Sequence, residues 1–132
     1  MTLNDQQQAL LQKLLKQRFY VLRDEISQEL LASDDQNYID LAGQVRDSAE
    51  ESLADLIRDI DHAIVGLHID EIRAIDAALL RMAHGTYGLC VDCEAPIKID
   101  RLEVQPTASR CHDCQIKWES KPGRTTGGGA TL

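Results

Sequence analysis

The sequence predicts a mostly α-helical protein: a long antiparallel coiled-coil helical hairpin, then a small four-cysteine zinc-finger module and a short C-terminal helix. Apolar residues recur at helical spacing through residues 1–84, which contain no proline. Two C-x-x-C pairs follow between residues 90 and 114. The segment between the pairs is too short for a core of its own, so bound metal must supply most of its folding energy.

Two apolar stripes predict the arms of the hairpin. A narrow stripe on each of two helices favours pairing with a single partner helix, as in an antiparallel coiled coil. The first stripe contains Leu11, Leu15, Phe19, Leu22, Ile26 and Leu30. The second contains Leu53, Ile57, Ile60, Ile64, Leu67, Ile75, Ala78 and Met82.

Two arguments locate the turn of the hairpin. The run Ser48-Ala49-Glu50-Glu51 fits the capping box S-x-x-E, which predicts a helix start near Ser48. A first helix that begins near Asn4 and a second that ends near His84-Gly85 have their midpoint near residue 44. We therefore expect residues 1–84 to form the hairpin, with its tip near residues 43–48.

Local composition predicts the remaining boundaries. The polar run 33–37 interrupts the first stripe, so we expect the first arm to kink or break near residue 34. Residues 85–120 should form the zinc module, with a last short helix that carries the second cysteine pair. Residues 121–132 contain clustered glycines and no periodicity, which is typical of a flexible tail.

The four cysteines of the chain predict one structural zinc site. Cys90, Cys93, Cys111 and Cys114 form two C-x-x-C pairs, and two such turns facing each other offer the four tetrahedral thiolates that Zn²⁺ prefers. Four sulfurs leave no position for water, so the metal has nothing to activate, and no nucleophile–base pair or phosphate loop suggests an enzyme. The net charge of the site is −2, which Lys98, Arg101 or Arg110 can offset.

Two other uses of the cysteines are less consistent with the sequence. Two disulfides need an oxidising compartment, and the N-terminal residues lack the apolar core of a signal peptide. A C-x-x-C redox pair normally belongs to a βαβ context, which the pattern does not predict. Zinc-bound thiolates and no targeting segment predict a cytoplasmic protein.

Charge and composition narrow the choice of partners. The chain has 22 acidic and 14 basic residues and a net charge of −8, which repels nucleic-acid phosphates. Aromatic residues make up only 4%, too few for base-stacking platforms, and no apolar run is long enough to span a membrane. Acidic residues crowd the predicted tip, which suits a basic or metal-containing cavity in a partner. The alternative is a solvated helix start whose acids complement the helix dipole.

The segment from Gly85 to Gln115 combines the lead-in Tyr87-Gly88-x-Cys90, the interval between the cysteine pairs, and the runs 101–103 and 106–108, which are Arg-Leu-Glu and Pro-Thr-Ala. Through these features the chain resembles the DksA/TraR family of bacterial C4-type zinc-finger proteins. Glu94 departs from the family pattern, which has glycine after the second cysteine. In length, the chain resembles a shorter DksA-like paralogue.

The resemblance implies a transcription regulator that binds RNA polymerase and not DNA. The coiled coil of such proteins enters the secondary channel, where its acidic tip approaches the active site and changes initiation, often with the alarmone ppGpp at the polymerase interface. The family tip motif D-x-x-D-x-A falls here on Asp47, Glu50, Glu51 and Ser52, with Glu50 and Ser52 replacing the second Asp and the Ala. The residues alone also allow a zinc-stabilised coiled-coil adaptor that binds another protein or itself.

Overall fold

Six α-helices make up most of the described part of the chain. The computed structural model describes residues 3–58, 60 and 62–121, without the side chains of residues 51, 62–65 and 67. The helices are α1 (Asp5–Leu31), α2 (Gln36–Arg46), α3 (Glu50–Ile57), α4 (His62–Ala83), α5 (Ile99–Val104) and α6 (His112–Glu119). Within those residues the only β-type pairing is an isolated bridge between Leu89 and Pro96. The predicted mostly helical fold class is confirmed.

The chain divides into two compact units. The helical unit comprises Lys16–Asp76, and the zinc unit comprises Met1–Leu15 together with Ala77–Leu132. This division differs from the predicted boundary between residues 84 and 85, because the ends of α1 and α4 pack with the cysteine-containing segment. The Arg81 guanidinium, for example, donates to the Thr107 carbonyl over 3.5 Å. Of the predicted tail, all but Lys121 lies outside the described residues.

The start of α1 is capped as its sequence predicts. The Asn4 side chain accepts a hydrogen bond from the Gln7 backbone N–H at 2.7 Å, and the Gln7 side chain accepts one from the Asn4 N–H at 3.0 Å. This reciprocal pair satisfies two N–H groups that have no partner within the helix. The helix then continues without interruption to Leu31.

The polar run after Leu31 breaks the first arm, as predicted. Asp35 is the N-cap of α2, and its carboxylate accepts the Asn37 backbone N–H at 2.9 Å. The run therefore ends one helix and supplies the cap of the next. Such a cap is worth about 1 kcal/mol, which is enough to favour a new start over continuation of a polar helix.

The break also reverses the chain. The Ser27 hydroxyl donates to the Ala42 carbonyl at 2.8 Å, and an Arg23 guanidinium nitrogen donates to the Ser48 carbonyl at 3.0 Å. A residue later in α1 contacts an earlier residue of α2, and a residue earlier in α1 contacts the end of α2. The two helices are therefore antiparallel. A turn does follow at residues 47–49, beside the predicted position, but it is not the tip of a single hairpin because the chain has already reversed at residues 32–35.

The predicted capping box at Ser48 is wrong. The N-cap of α3 is Ala49, which has no side-chain cap hydrogen bond, and α3 begins at Glu50. The Ser48 hydroxyl instead donates to the Val45 carbonyl at 2.7 Å and is buried. Ser48 therefore closes the end of α2 and does not open α3.

Helices α1 and α4 form the antiparallel pair that the hairpin prediction requires. Within the helical unit, the Arg18 guanidinium makes a two-point contact with the Glu71 carboxylate, at 2.7 and 3.0 Å. The His68 ring lies between the Glu29 and Glu25 carboxylates, at 2.8 and 3.3 Å. Residues later in α4 thus contact residues earlier in α1, so the two helices run antiparallel.

All four helices of the helical unit contribute to one core. Each fully buried Leu, Ile or Phe side chain contributes on the order of 1.5–3 kcal/mol to stability. The first predicted stripe is buried throughout, and Ile69 and Ile72, which the second stripe omitted, are buried as well. Ile64 and Leu67 lie outside the described side chains. The largest core residues of this unit are Phe19, Leu22, Ile26, Leu30, Val45, Leu53, Ile57, Ile69, Ile72 and Ile75. No helix in the described ranges is long and apolar enough to cross a membrane.

The carboxyl group of Asp76 on α4 should make the free energy of unfolding depend on pH, which tests this packing. Burial, and then repulsion from the Asp55 carboxylate, raise the pKa of Asp76. A raised pKa in the folded state means that protonated Asp76 favours folding, and that this stability is lost as pH rises through the folded pKa. Asp76→Asn should therefore raise the free energy of unfolding near pH 7, by about 0.5 kcal/mol because the group is mostly solvated.

Urea unfolding of the parent and Asp76→Asn proteins at two pH values checks this expectation. The gain should vanish near pH 3, where the carboxyl is protonated in both the folded and unfolded states. In an Asp55→Asn background the gain should shrink, since one source of repulsion is gone. A loss of stability at pH 7, or an equal gain at both pH values, would contradict the assignment.

Candidate metal centre

The four cysteine sulfurs converge on one point in the zinc unit. The sulfurs of Cys90, Cys93, Cys111 and Cys114 all lie within 4.8 Å of one another, and those of Cys93 and Cys111 are 3.8 Å apart. Four sulfurs at the corners of a tetrahedron with a Zn–S distance of about 2.3 Å are about 3.8 Å apart. The cluster therefore has the donor type and the spacing that fit Zn²⁺.

A tight backbone turn directs the first pair of sulfurs. The Cys90 N–H donates to the Ala95 carbonyl at 2.8 Å, and the Glu94 N–H donates back to the Cys90 carbonyl at 2.9 Å. Glu94 takes the left-handed conformation, with φ of 65°, which usually favours glycine. A glutamate in this conformation is strained, because its Cβ crowds the backbone where a glycine would not.

The second pair stands at the start of α6. Cys111 is the N-cap of this helix, and Cys114 lies in its first turn, where the Gln115 N–H donates to the Cys111 carbonyl at 2.9 Å. One sulfur thus comes from the cap and the other from the helix. The two knuckles are joined directly by a hydrogen bond from the Val91 N–H to the Ser109 carbonyl, at 2.9 Å.

The thiols differ in how readily they ionise. Burial raises the pKa of Cys90, but backbone N–H groups of Cys93, Cys111 and Asp92 outweigh it and bring that pKa down to about 6. Hydrogen bonding with Cys111 raises the pKa of Cys114 to about 12. Because zinc binds thiolates, metal binding must release protons from this cluster, and acid must release the metal.

Contacts around the cysteines include several that the sequence does not reveal. The Arg110 guanidinium donates to the Asp92 carboxylate at 2.8 Å and lies 4.8 Å from the centre of the Trp118 ring. The Tyr87 hydroxyl donates to the Pro106 carbonyl at 2.8 Å, and burial raises the pKa of this phenol to about 12. The two hydrogen bonds join residues 18 and 19 positions apart, so no local pattern signals them.

The predicted acidic contact residues lie in the helical unit and are held differently from one another. Asp47 is the exposed C-cap of α2. Glu50 begins α3, and its carboxylate accepts the Tyr20 hydroxyl at 3.0 Å and lies 3.7 Å from the Lys16 amine. The Ser52 hydroxyl donates to the Ala49 carbonyl at 3.3 Å, and the side chain of Glu51 is outside the described residues.

The histidines do not join the cysteine cluster. His84 and His112 are exposed, and the His62 side chain is outside the described residues. The Glu25 and Glu29 carboxylates flank the His68 ring. These carboxylates face opposite ring nitrogens, so the three groups do not converge on a common point as metal ligands must.

The fold and the cluster define a helical protein with a C4-type zinc finger. Residues 85–119 match the family described as prokaryotic dksA/traR C4-type zinc finger. The RNA polymerase-binding transcription factor DksA of Caulobacter vibrioides is 31% identical over 123 residues, covering 90% of this chain and 80% of that protein. Its namesake in Escherichia coli K12 is 28% identical over 127 residues, covering 95% and 80%.

These similarities extend well beyond the cysteines, and the chain belongs to the DksA/TraR family. The DksA protein of Buchnera aphidicola adds 32% identity over 108 residues. No solved structure matches the chain significantly. The family match and the clustered sulfurs together show one structural zinc ion.

Replacement of one cysteine should unfold the zinc-binding segment and leave the helical unit folded. Cys111→Ser removes one thiolate, so we expect loss of stoichiometric zinc and unfolding of residues 87–118. The helical unit should keep its helices, since its core contains no metal ligand. Metal analysis and circular dichroism measure the two effects. A full complement of zinc in Cys111→Ser would contradict the four-thiolate site, and Ser109→Ala is a matched control.

Proposed function

We propose that this protein is a bacterial transcription regulator that binds RNA polymerase. The observation that carries the proposal is the 31% identity to a named RNA polymerase-binding transcription factor over 123 residues. That stretch is 90% of the chain, so it includes helical residues as well as the zinc finger. A likeness confined to the zinc finger would support only a shared metal module.

The finer part of the proposal concerns how the polymerase is engaged. The protein enters the secondary channel and brings the acidic turn at residues 47–52 towards the active site, where it modulates initiation. The exposure of Asp47 supports this role. The Glu50 carboxylate already contacts the Lys16 amine and the Tyr20 hydroxyl on α1. It is therefore less available to bind a partner unless those contacts break.

The charge of the chain supports action through protein contacts. A net charge of −8 disfavours binding along a phosphate backbone, so the regulator works without direct DNA contacts. The proposal includes ppGpp as a ligand at the polymerase interface and the cytoplasm as the compartment, because the polymerase is there. A regulator of this kind has no catalytic step of its own.

One observation favours a second function, that of an adaptor or self-associating protein. Helix α1 exposes several large apolar side chains outside its core stripe. Leu10 is 52% exposed, Leu14 38% and Val21 48%. Uncovered apolar residues at such spacing are what a further helix would need for docking.

Binding to purified core RNA polymerase, with and without a protein known to occupy the secondary channel, tests the leading proposal. We expect direct binding that the channel protein competes away. Binding that survives competition would contradict the channel route, and no binding would contradict the polymerase proposal. Sedimentation of the protein alone then tests the second function, which predicts a dimer that Leu14→Glu disperses.

The acidic turn has its own test in purified transcription initiation. Asp47→Asn should reduce the effect on initiation and leave polymerase binding nearly intact, because one exposed carboxylate contributes little area. It should alter stability by no more than about 0.5 kcal/mol. Glu50→Gln should have the smaller effect on initiation.

Asp34→Asn serves as the matched control, since Asp34 is an exposed acid in the other turn of the helical unit. If Asp47→Asn and Glu50→Gln together leave initiation as in the parent protein, the turn is only a solvated helix end. In that case polymerase binding, if present, uses another surface.

A further inference from the structure

The zinc cluster carries a net negative charge that its own ligands do not neutralise. Four thiolates and one Zn²⁺ carry a net charge of −2, in a chain whose other groups already sum to −8. Backbone N–H groups near the sulfurs offset part of that charge. A partly buried charge of this size also needs a positive side chain nearby.

Arg101 on α5 is placed against the second knuckle. Its Nε donates to the Arg110 carbonyl at 3.0 Å, on the residue that directly precedes Cys111. Arg101 and Cys111 line one groove, together with Lys98 and the acidic residues Asp100 and Asp113. The guanidinium therefore lies beside the peptide that sets the position of the Cys111 sulfur.

The same guanidinium has an unused donor. The Nη2 atom of Arg101 is buried and has no hydrogen-bond partner among the described residues. A buried donor without an acceptor costs about 1–3 kcal/mol, and more when it is charged. Such a group is rare in folded proteins and calls for a compensating negative charge close by.

The other two cations that the sequence analysis named are committed elsewhere or exposed. Arg110 contacts the Asp92 carboxylate and stacks over Trp118. Lys98 is solvent-exposed at the N-cap of α5. Of the three cations that the sequence offered, Arg101 alone combines a buried donor with a contact to the second knuckle.

We propose that Arg101 is the counter-charge of the zinc–thiolate cluster. Its positive charge stabilises the thiolates, and its hydrogen bond to the Arg110 carbonyl orients the peptide that carries Cys111. Arg101 thus acts on the metal through the ligands, as a positioning residue, and its charge is the part that sets zinc affinity. Tighter zinc binding follows, because thiolates are the form that the metal holds.

Zinc affinity of three variants tests the proposal by competition with a chromogenic chelator. Arg101→Gln should weaken zinc binding about 10- to 100-fold, the usual effect of losing a partner of a metal ligand. Arg101→Lys keeps the charge and should stay close to the parent protein. Lys98→Gln removes an exposed charge from the same groove and should change affinity by no more than about threefold, because an exposed charge is screened by solvent.

The pH midpoint of zinc release separates a counter-charge from a purely structural contact. Because Arg101→Gln loses a positive charge, it should release zinc at a higher pH than the parent protein does. Arg101→Lys keeps the charge and should release zinc at the parent pH. Parent-like affinity of Arg101→Gln would overturn the proposal, as would a loss in Arg101→Lys equal to that in Arg101→Gln. If Arg101→Gln does not fold even in excess zinc, Arg101→Lys decides: parent-like affinity supports the counter-charge and weakened affinity overturns it.

Discussion

The convergence of four sulfurs on one point is the constraint on which the zinc unit depends. Helices α5 and α6 have six and eight residues, too few to be stable on their own. Apart from Cys90, the cysteine-containing segment buries the apolar side chains of Tyr87, Ile97, Leu102 and Ala108. The metal therefore fixes the two knuckles, and this fixed module gives the ends of α1 and α4 in the same unit a surface to pack on.

Spacing along the chain was sufficient to predict the features that depend on local geometry. The C-x-x-C pairs predict the zinc cluster because two intervening residues direct both sulfurs to one side of a tight turn. The stripe from Leu11 to Leu30 predicts the buried face of α1, and Asn4 predicts its start. The polar run after Leu31 predicts the break, because Asp35 can cap a new helix.

Features that depend on distant partners were not predictable in this way. A capping box at Ser48 is worth about 1 kcal/mol, less than the burial of Leu53 and Ile57 that sets the register of α3. Pairing of α2 with α1 through Ser27 reverses the chain before the expected turn. The carboxylates around His68 and the carbonyl held by Arg101 likewise come from other segments, so the sequence names candidates and only the fold selects among them.

Hydrogen exchange of the zinc-loaded and zinc-free protein tests most directly whether the metal organises the zinc unit. The account predicts that metal removal abolishes amide protection in residues 87–118, including α5 and α6. Protection in the core helices of the helical unit should persist, because that core is apolar and contains no ligand. Protection across residues 87–118 that survives without zinc would contradict the account, since it would mean that side-chain packing alone holds the module together.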